Sequence, residues 1–187
     1  MNPYKLIDKY YKDHPKARNI LITHSELVAK KAVQIAKRLN LTEDQQKFIY
    51  EASMLHDIGI FLTKAPEIYC TGTYPYICHG YLGRDILVAE GYPKHAKVCE
   101  RHTGTGIGKK EIAERSLPIP YRSMKPKSVE QKIITYADKF FSKDPKKIWK
   151  EKSVDKIREK LLKHGIDKVT KFDKWHTLFT EISDVSV

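Results

Sequence analysis

Thr42 to Gly59 reads TEDQQKFIYEASMLHDIG. Thr42, with Gln45 three positions later, resembles a capping box that opens a helix. Phe48, Ile49, Ala52 and Leu55 repeat at helical spacing, and Ile58-Gly59 supplies a stop. The helix therefore carries His56-Asp57 at its end, where a buried helix opens onto a cleft. A buried aspartate needs a cation, a metal or several donors, because desolvating it unpaired is costly. On the dipeptide alone, a helix-end pair hydrogen-bonded to backbone is the simpler reading, so function depends on what joins the pair.

Working outward, the chain reads as helix after helix. Pro3 to Tyr11 forms a short helix closed before His14-Pro15, since the residue before proline disfavours helical backbone. Asn19 or Thr23 caps the next, where Leu27, Val28, Lys31, Val33, Ile35, Ala36 and Leu39 run to Asn40 and His24 falls in the first turn. From Phe61 to Cys78 the periodicity fails. Pro66, Gly72 and Pro75 among Tyr69, Tyr74 and Tyr76 indicate an ordered, irregular loop over a pocket. His79 opens a helix with Leu82, Ile86, Leu87 and Ala89 on one side and Gly91 as its stop. Pro93 opens another, leading through Ala96, Val98 and Cys99 to Arg101-His102. Thr103 to Gly108 breaks it, without the spacing of a P-loop.

After a proline-broken connection from Leu117 to Pro126, Val129, Ile133, Ile134 and Ala137 lead to Asp138-Lys139. Two further helices, Pro145 to Leu162 and Asp167 to Ile182, would bury Ile148, Ile157, Leu161, Trp175, Leu178 and Phe179. No convincing alternating strand is found. The expectation is an all-α fold, one domain over 1–187, with a core of about 20–141 and a helical C-terminal extension of about 145–183.

The 187 residues are enough to bury a substantial core. No apolar stretch approaches a membrane span, and Lys5, Asp8 and Lys9 stand where a signal peptide would be apolar, so the expected location is cytoplasmic without a membrane partner. Cys70, Cys78 and Cys99 are odd in number and lack a CxxC pair, as reduced thiols do. The net charge is +12, with +6 in Met1 to Met124 and +6 in the shorter remainder. Acids interleave the later lysines, as in Lys156-Ile157-Arg158-Glu159-Lys160, which is how a solvated helix face reads. That pattern disfavours nucleic acid as a partner; these helices could cover the core or form a homo-oligomer contact. A positive surface would still attract anionic substrates such as nucleotides.

His24, His56, Asp57, His79, His102 and Asp138 all fall near ends of expected helices. Imidazoles and carboxylates together suit iron, manganese, nickel, cobalt or zinc, and the lack of a cysteine cluster disfavours structural zinc. An aspartate can ligate two cations at once, one on each oxygen.

In this order the residues resemble the H…HD…D signature of the HD superfamily of metal-dependent phosphohydrolases, and His56-Asp57-Ile58-Gly59 is similar to its HDIG variant. His79 and His102 fall where binuclear members have extra ligands. The resemblance, over about Ile20 to Phe141, implies a helical fold and a water-driven attack on a phosphate ester or anhydride of a nucleotide or similar small molecule. It implies two divalent metal ions, one on His24, His56, Asp57 and Asp138, the other on His79 and His102, with Asp57 bridging. Members that cleave cyclic dinucleotides resemble HDIGK with a GYP element. Ile60 departs from that lysine, and Gly91-Tyr92-Pro93 is explained by a helix stop before an N-terminal proline.

Lys139 and Arg101, each beside an expected ligand, are the preferred phosphate-binding residues, with Asp57 as the third catalytic position. Lys64 and Arg84 are weaker candidates, and Tyr74 and Tyr76 could stack a base. His14, His95, His164 and His176 read as peripheral. The alternative function is a catalytically silent HD module that binds a nucleotide or a protein partner.

Overall fold

Helix α2 (Pro15–Arg38) runs through both halves of the core, and the computed structural model describes the chain around it over residues 1–181. The other helices are α1 (Pro3–Tyr10), α3 (Glu43–Leu55), α4 (His79–Ala89), α5 (Pro93–Arg101), α6 (Lys109–Glu114), α7 (Val129–Asp138), α8 (Val154–Leu162) and α9 (Ile166–Thr180). The fold is all-α, as expected. Its extended pairings among the described residues are a two-residue antiparallel pair, β1 (Lys64–Ala65) with β2 (Cys70–Thr71) in register Lys64 to Thr71, and the isolated bridges Thr63 to Tyr74 and Ile107 to Met124. These strands and three short 3-10 turns occupy the stretch expected as an irregular loop.

One apolar cluster joins Leu6, Ile7 and Tyr11 to Leu21 of α2, Met54 and Leu55 of α3, and Ile58. A second joins Val28, Ala32 and Ile35 of α2 to Ile49, to Ile133, Ile134 and Tyr136 of α7, and to Phe172, Trp175 and Phe179 of α9. His24 and Ser25 fall between the two sets on α2, on the buried face but at the seam. Burial at helical spacing thus places the first polar residue of the site inside the core.

Several expectations require correction. α2 begins at Pro15 with His14 as its cap residue, so Asn19 and Thr23 are interior and His24 is in mid-helix. The ring of Pro15 is pre-set for the first helical position and lacks the amide that would go unpaired there. Pro145 to Lys150 is a turn region, held where Asp144 Oδ1 accepts from the Lys146 amide at 3.0 Å. The helix restarts only at Ser153, whose side chain caps α8. Leu178 is 53% exposed, and Phe172 takes the place expected for it in the core. On α4, Ala89 is exposed and the buried face is Gly80, Gly83 and Leu87. α6 has no counterpart in the sequence reading. The capping box at Thr42 and Gln45 is present. The expected helix end at Ile182 lies outside the described residues.

Candidate metal centre

Helix ends deliver most of the polar cluster. His56 caps the C-terminus of α3, His79 is the first residue of α4, His102 caps α5, and Asp138 ends α7. Three of the imidazoles are held in one way. Nδ1 donates to the carbonyl three residues back: His56 to Ser53 at 2.6 Å, His79 to Tyr76 at 2.6 Å and His102 to Cys99 at 2.7 Å. Each bond fixes the tautomer, so Nε2 of each neutral ring carries a lone pair.

Those lone pairs converge. His24 Nε2 lies 3.3 Å from His56 Nε2, and His79 Nε2 lies 3.1 Å from His102 Nε2. Asp57 stands between the pairs. Its Oδ2 is 3.3 Å from His24 Nε2 and 3.0 Å from His56 Nε2, while Oδ1 is 3.4 Å from His79 Nε2 and 3.2 Å from His102 Nε2. Asp138 Oδ1 closes the first group, 3.0 Å from His24 Nε2. The ligand-type atoms thus form two groups, His24, His56, Asp57 and Asp138, and Asp57, His79 and His102, all buried.

This donor set fits a metal. Apart from the Lys143 ammonium, 2.6 Å from Oδ2, the fully buried Asp57 has no regular hydrogen-bond partner, and the neutral rings of His79 and His102 cannot satisfy each other through facing lone pairs. A cation between them would satisfy both. Nitrogen and carboxylate ligands without thiolate suit the divalent transition metals.

Charge within the cluster is strongly coupled. Burial would raise the pKa of Asp57, but the charges of His56 and Lys143, with the imidazoles of His102 and His24 beside it, hold it well below the carboxylate range. Asp138 is held low against burial by Lys139 and Lys143. Burial disfavours charge on His56, yet Asp57 and Asp138 outweigh it and raise the group to about 9. In the other pair burial prevails, pushing His79 down to about 3 and lowering His102.

The profile of the HD domain family matches residues 21–142, which contain all six of these residues. The chain belongs to the HD domain family. The chain is also 29% identical over 160 residues to a protein of Thermoplasma volcanium named tRNA (cytidine(56)-2'-O)-methyltransferase, covering 85% of this chain and 42% of that one. A protein of the same name from Picrophilus torridus is 29% identical over 154 residues, covering 77% of this chain and 40% of its own length. The uncharacterized protein MJ0778 of Methanocaldococcus jannaschii is 37% identical over 86 residues, covering 46% of this chain and 43% of that one. The chain thus spans less than half the length of these curated relatives. No solved structure matches.

The glycine of the HD domain's His-Asp-Ile-Gly turn has a packing reason. A Cβ on Gly59 would lie 2.4 Å from the His79 carbonyl oxygen and 2.5 Å from the Gly83 amide nitrogen. The turn therefore presses directly on the first turn of α4, and Tyr11 pins its other side by donating to the Ile58 carbonyl at 2.9 Å. Gly91-Tyr92-Pro93 is a helix stop and restart, with Gly91 at φ 80° and Pro93 at the start of α5. The Thr103–Gly108 run is tied to α9, whose Lys171 and Lys168 donate to the carbonyls of Thr105 and Gly106 at 2.6 and 3.0 Å.

A cavity of about 260 Å³ opens beside the HD cluster, lined by Tyr76, His79, His102 and Asp138 together with Lys139, Lys143 and Lys152. Lys139 reaches Asp138 Oδ2 at 2.5 Å. Arg101 points elsewhere: its guanidinium donates to Gln131 Oε1 at 3.2 Å. Arg84 pairs with Asp85, and Lys64 is exposed. Tyr76 stacks on His79 with ring centroids 4.7 Å apart, whereas Tyr74 is 45% exposed. His14, His95, His164 and His176 stay outside the cluster. Sequence reasoning missed Lys143, whose Nζ lies 2.6 Å from Asp57 Oδ2, and Lys152. The available signal was position: Lys143 follows Asp138 by five residues, in the segment leaving the end of α7.

Proposed function

We propose that this chain is a metal-dependent phosphohydrolase acting on a phosphate ester or anhydride of a nucleotide or similar small molecule. The observation that carries the reading is Asp57, a buried carboxylate with one oxygen toward each imidazole pair. His24, His56, Asp57 and Asp138 would hold one divalent cation, and Asp57, His79 and His102 the second. Bound there, the cations would supply Lewis acidity toward phosphoryl oxygens and lower the pKa of water.

The chain's own groups do the remaining work. The carbonyls of Ser53, Tyr76 and Cys99 hold the rings of His56, His79 and His102 in the tautomer that presents Nε2. Lys139 and Lys143 bring two ammonium groups to the cavity wall, where they can bind non-bridging phosphoryl oxygens and stabilise charge on the leaving side. Tyr76, stacked on His79, forms an aromatic wall for a base or other flat leaving group. Arg101, donating to Gln131, acts through the position of α7 and the neighbouring His102. The methyltransferase relatives share only this part of their length, and their named activity is not assigned to the chain.

The test is hydrolysis of p-nitrophenyl phosphate and bis-p-nitrophenyl phosphate, followed by a nucleotide panel, with manganese or iron supplied. Turnover abolished by Asp57→Asn supports the reading. A folded, metal-loaded chain inert to all of these would leave the silent binding module instead.

A further inference from the structure

A second cavity, about 710 Å³, adjoins the first, and Lys152 and Lys160 line both. Seven of its eleven lining residues are lysines and two are glutamates. One of the glutamates, Glu151, is engaged by Lys31 at 2.6 Å. Among the described residues no acid forms an ion pair with Lys146, Lys150, Lys156 or Lys163.

The alternation of lysines and acids in the sequence suggested a neutralised helix face, but folding separates the charges. Asp155 and Asp173 both turn to Arg158, at 3.1 and 2.9 Å, and Asp144 takes Lys147 at 3.6 Å, so that among the described residues Glu159 is the groove acid left against Lys146, Lys150, Lys156 and Lys163. The unpaired ammonium groups collect in one concave surface, and that surface leads to the ammonium groups of the metal centre. Lys152 is the joint, its Nζ donating to the carbonyl of Lys139 at 2.9 Å.

An aromatic residue stands in the same segment. Ile148 is buried and anchors the turn between Pro145 and Lys150 in the first core cluster, while Trp149 beside it is 73% exposed. The indole is largely open to solvent and is adjacent in the chain to Lys150, a lysine of the groove. A track of cations with an aromatic platform is the combination that holds single-stranded nucleic acid. Phosphates meet the lysines, and an unstacked base meets the ring. A duplex offers no free base face, and a simple polyphosphate has no use for an indole.

We propose that the lysine groove and Trp149 bind a single-stranded polynucleotide and direct its backbone toward the metal centre. This rests on the phosphohydrolase reading and narrows its substrate class to a nucleic acid strand or its end.

The experiment is fluorescence anisotropy with a labelled single-stranded RNA of about 12 nucleotides, within the range that aromatic-lined basic grooves accommodate. It is done in chelator, so that binding is read without cleavage. The variants are Trp149→Ala and a combined Lys146→Gln, Lys150→Gln, Lys156→Gln, Lys163→Gln chain, each first matched to the parent by circular dichroism. The parent should bind with strong salt dependence. The combined variant should flatten the slope of log K against log salt by about 3 and weaken binding more than about ten-fold at low salt. Trp149→Ala should weaken it by about ten-fold. No binding by the parent, or parent-like binding by the combined variant, overturns the proposal. So does displacement of RNA by inorganic polyphosphate with Trp149→Ala indistinguishable from the parent, which would make the groove a polyphosphate site. Ester hydrolysis by the parent is measured separately. Hydrolysis without RNA binding overturns the groove alone, and RNA binding without any hydrolysis supports the groove while removing the hydrolase reading.

Discussion

Lys143 Nζ lies 2.6 Å from Asp57 Oδ2, so the carboxylate between the two imidazole pairs also carries an ammonium partner from outside the HD motif. The pair is largely buried, with side-chain exposures of 15% and 0%. Asp57, Tyr76 and Asp138 overcome the effect of burial and hold Lys143 well above its ordinary pKa, so it is charged at any working pH. A lysine in this place has two effects of opposite sign. It stabilises the metal-free fold, and it competes with a divalent cation for Asp57.

Lys143→Met is therefore expected to destabilise the metal-free protein, by on the order of 3 kcal/mol, because the carboxylate loses its ammonium partner. The same change should tighten metal binding, since a competing cation is gone. Chemical denaturation in chelator and a competition titration with a metal indicator would give the two numbers. A variant that is weaker in both would show that Lys143 supports the site without competing for it.

Protons must also leave the cluster. His56 is held at about 9, so near pH 7 the metal-free chain carries a proton there that a cation has to displace. Metal affinity should rise as pH goes from 7 to 9 and level off above, with proton release measurable in weakly buffered calorimetry. Stability of the metal-free chain has its own sign. The raised His56 contributes stability that is complete below about pH 6.5 and is lost as pH rises through 9. His79, lowered to about 3, does the reverse: below 6.5 the unfolded chain takes up a proton that the folded one refuses. Thermal midpoints in chelator should thus fall on both sides of a maximum near neutrality. A flat profile from pH 6 to 9 would contradict the charge assigned to His56.

Gly59→Ala tests how the turn fixes the second group. The added Cβ would meet backbone atoms, the His79 carbonyl oxygen and the Gly83 amide nitrogen, which cannot move aside as a side-chain tip could. A loss of about 1–3 kcal/mol is expected. It should fall unequally, because His79 lies on the displaced helix and His24 does not. Spectroscopy of cobalt-substituted protein would show the second site perturbed more than the first, and equal perturbation would count against the contact.

Much of this arrangement could be read from the sequence where chemistry and local signals agree. The capping box, the helix ending at His56-Asp57 and His79 opening α4 are where the spacing put them, whereas His24 lies in mid-helix and not in a first turn. Long-range consequences were less accessible. Pro15 took the start of α2 from Asn19 and Thr23 because preceding chain, not a side-chain cap, completes the helix end. Ser153 and the Asp144 turn cut one expected helix back to its second half, α8. Lys143 and Lys152 carried no signal of their own, since nothing local shows that the segment after α7 folds back over Asp57. Arg101, adjacent to His102, was the converse: sequence neighbours on a helix end point to different sides.

The sharpest expectation concerns metal content, because the six residues are not equivalent. Asp138 faces only His24 and His56, at 3.0 and 3.5 Å, while His79 and His102 meet the cluster through Asp57 Oδ1. Two metals per chain should be found in protein prepared without chelator and supplied with manganese or iron. His79→Ala with His102→Ala should retain one, held by the first group, and Asp138→Asn should weaken that first site while leaving the second. Asp57→Asn should lower occupancy at both, since one side chain serves each through a different oxygen. Elemental analysis of the four proteins distinguishes the arrangement from its simpler rival. If Asp57→Asn lost only as much metal as Asp138→Asn, Asp57 would belong to one site, and the second imidazole pair would be satisfied by a shared proton.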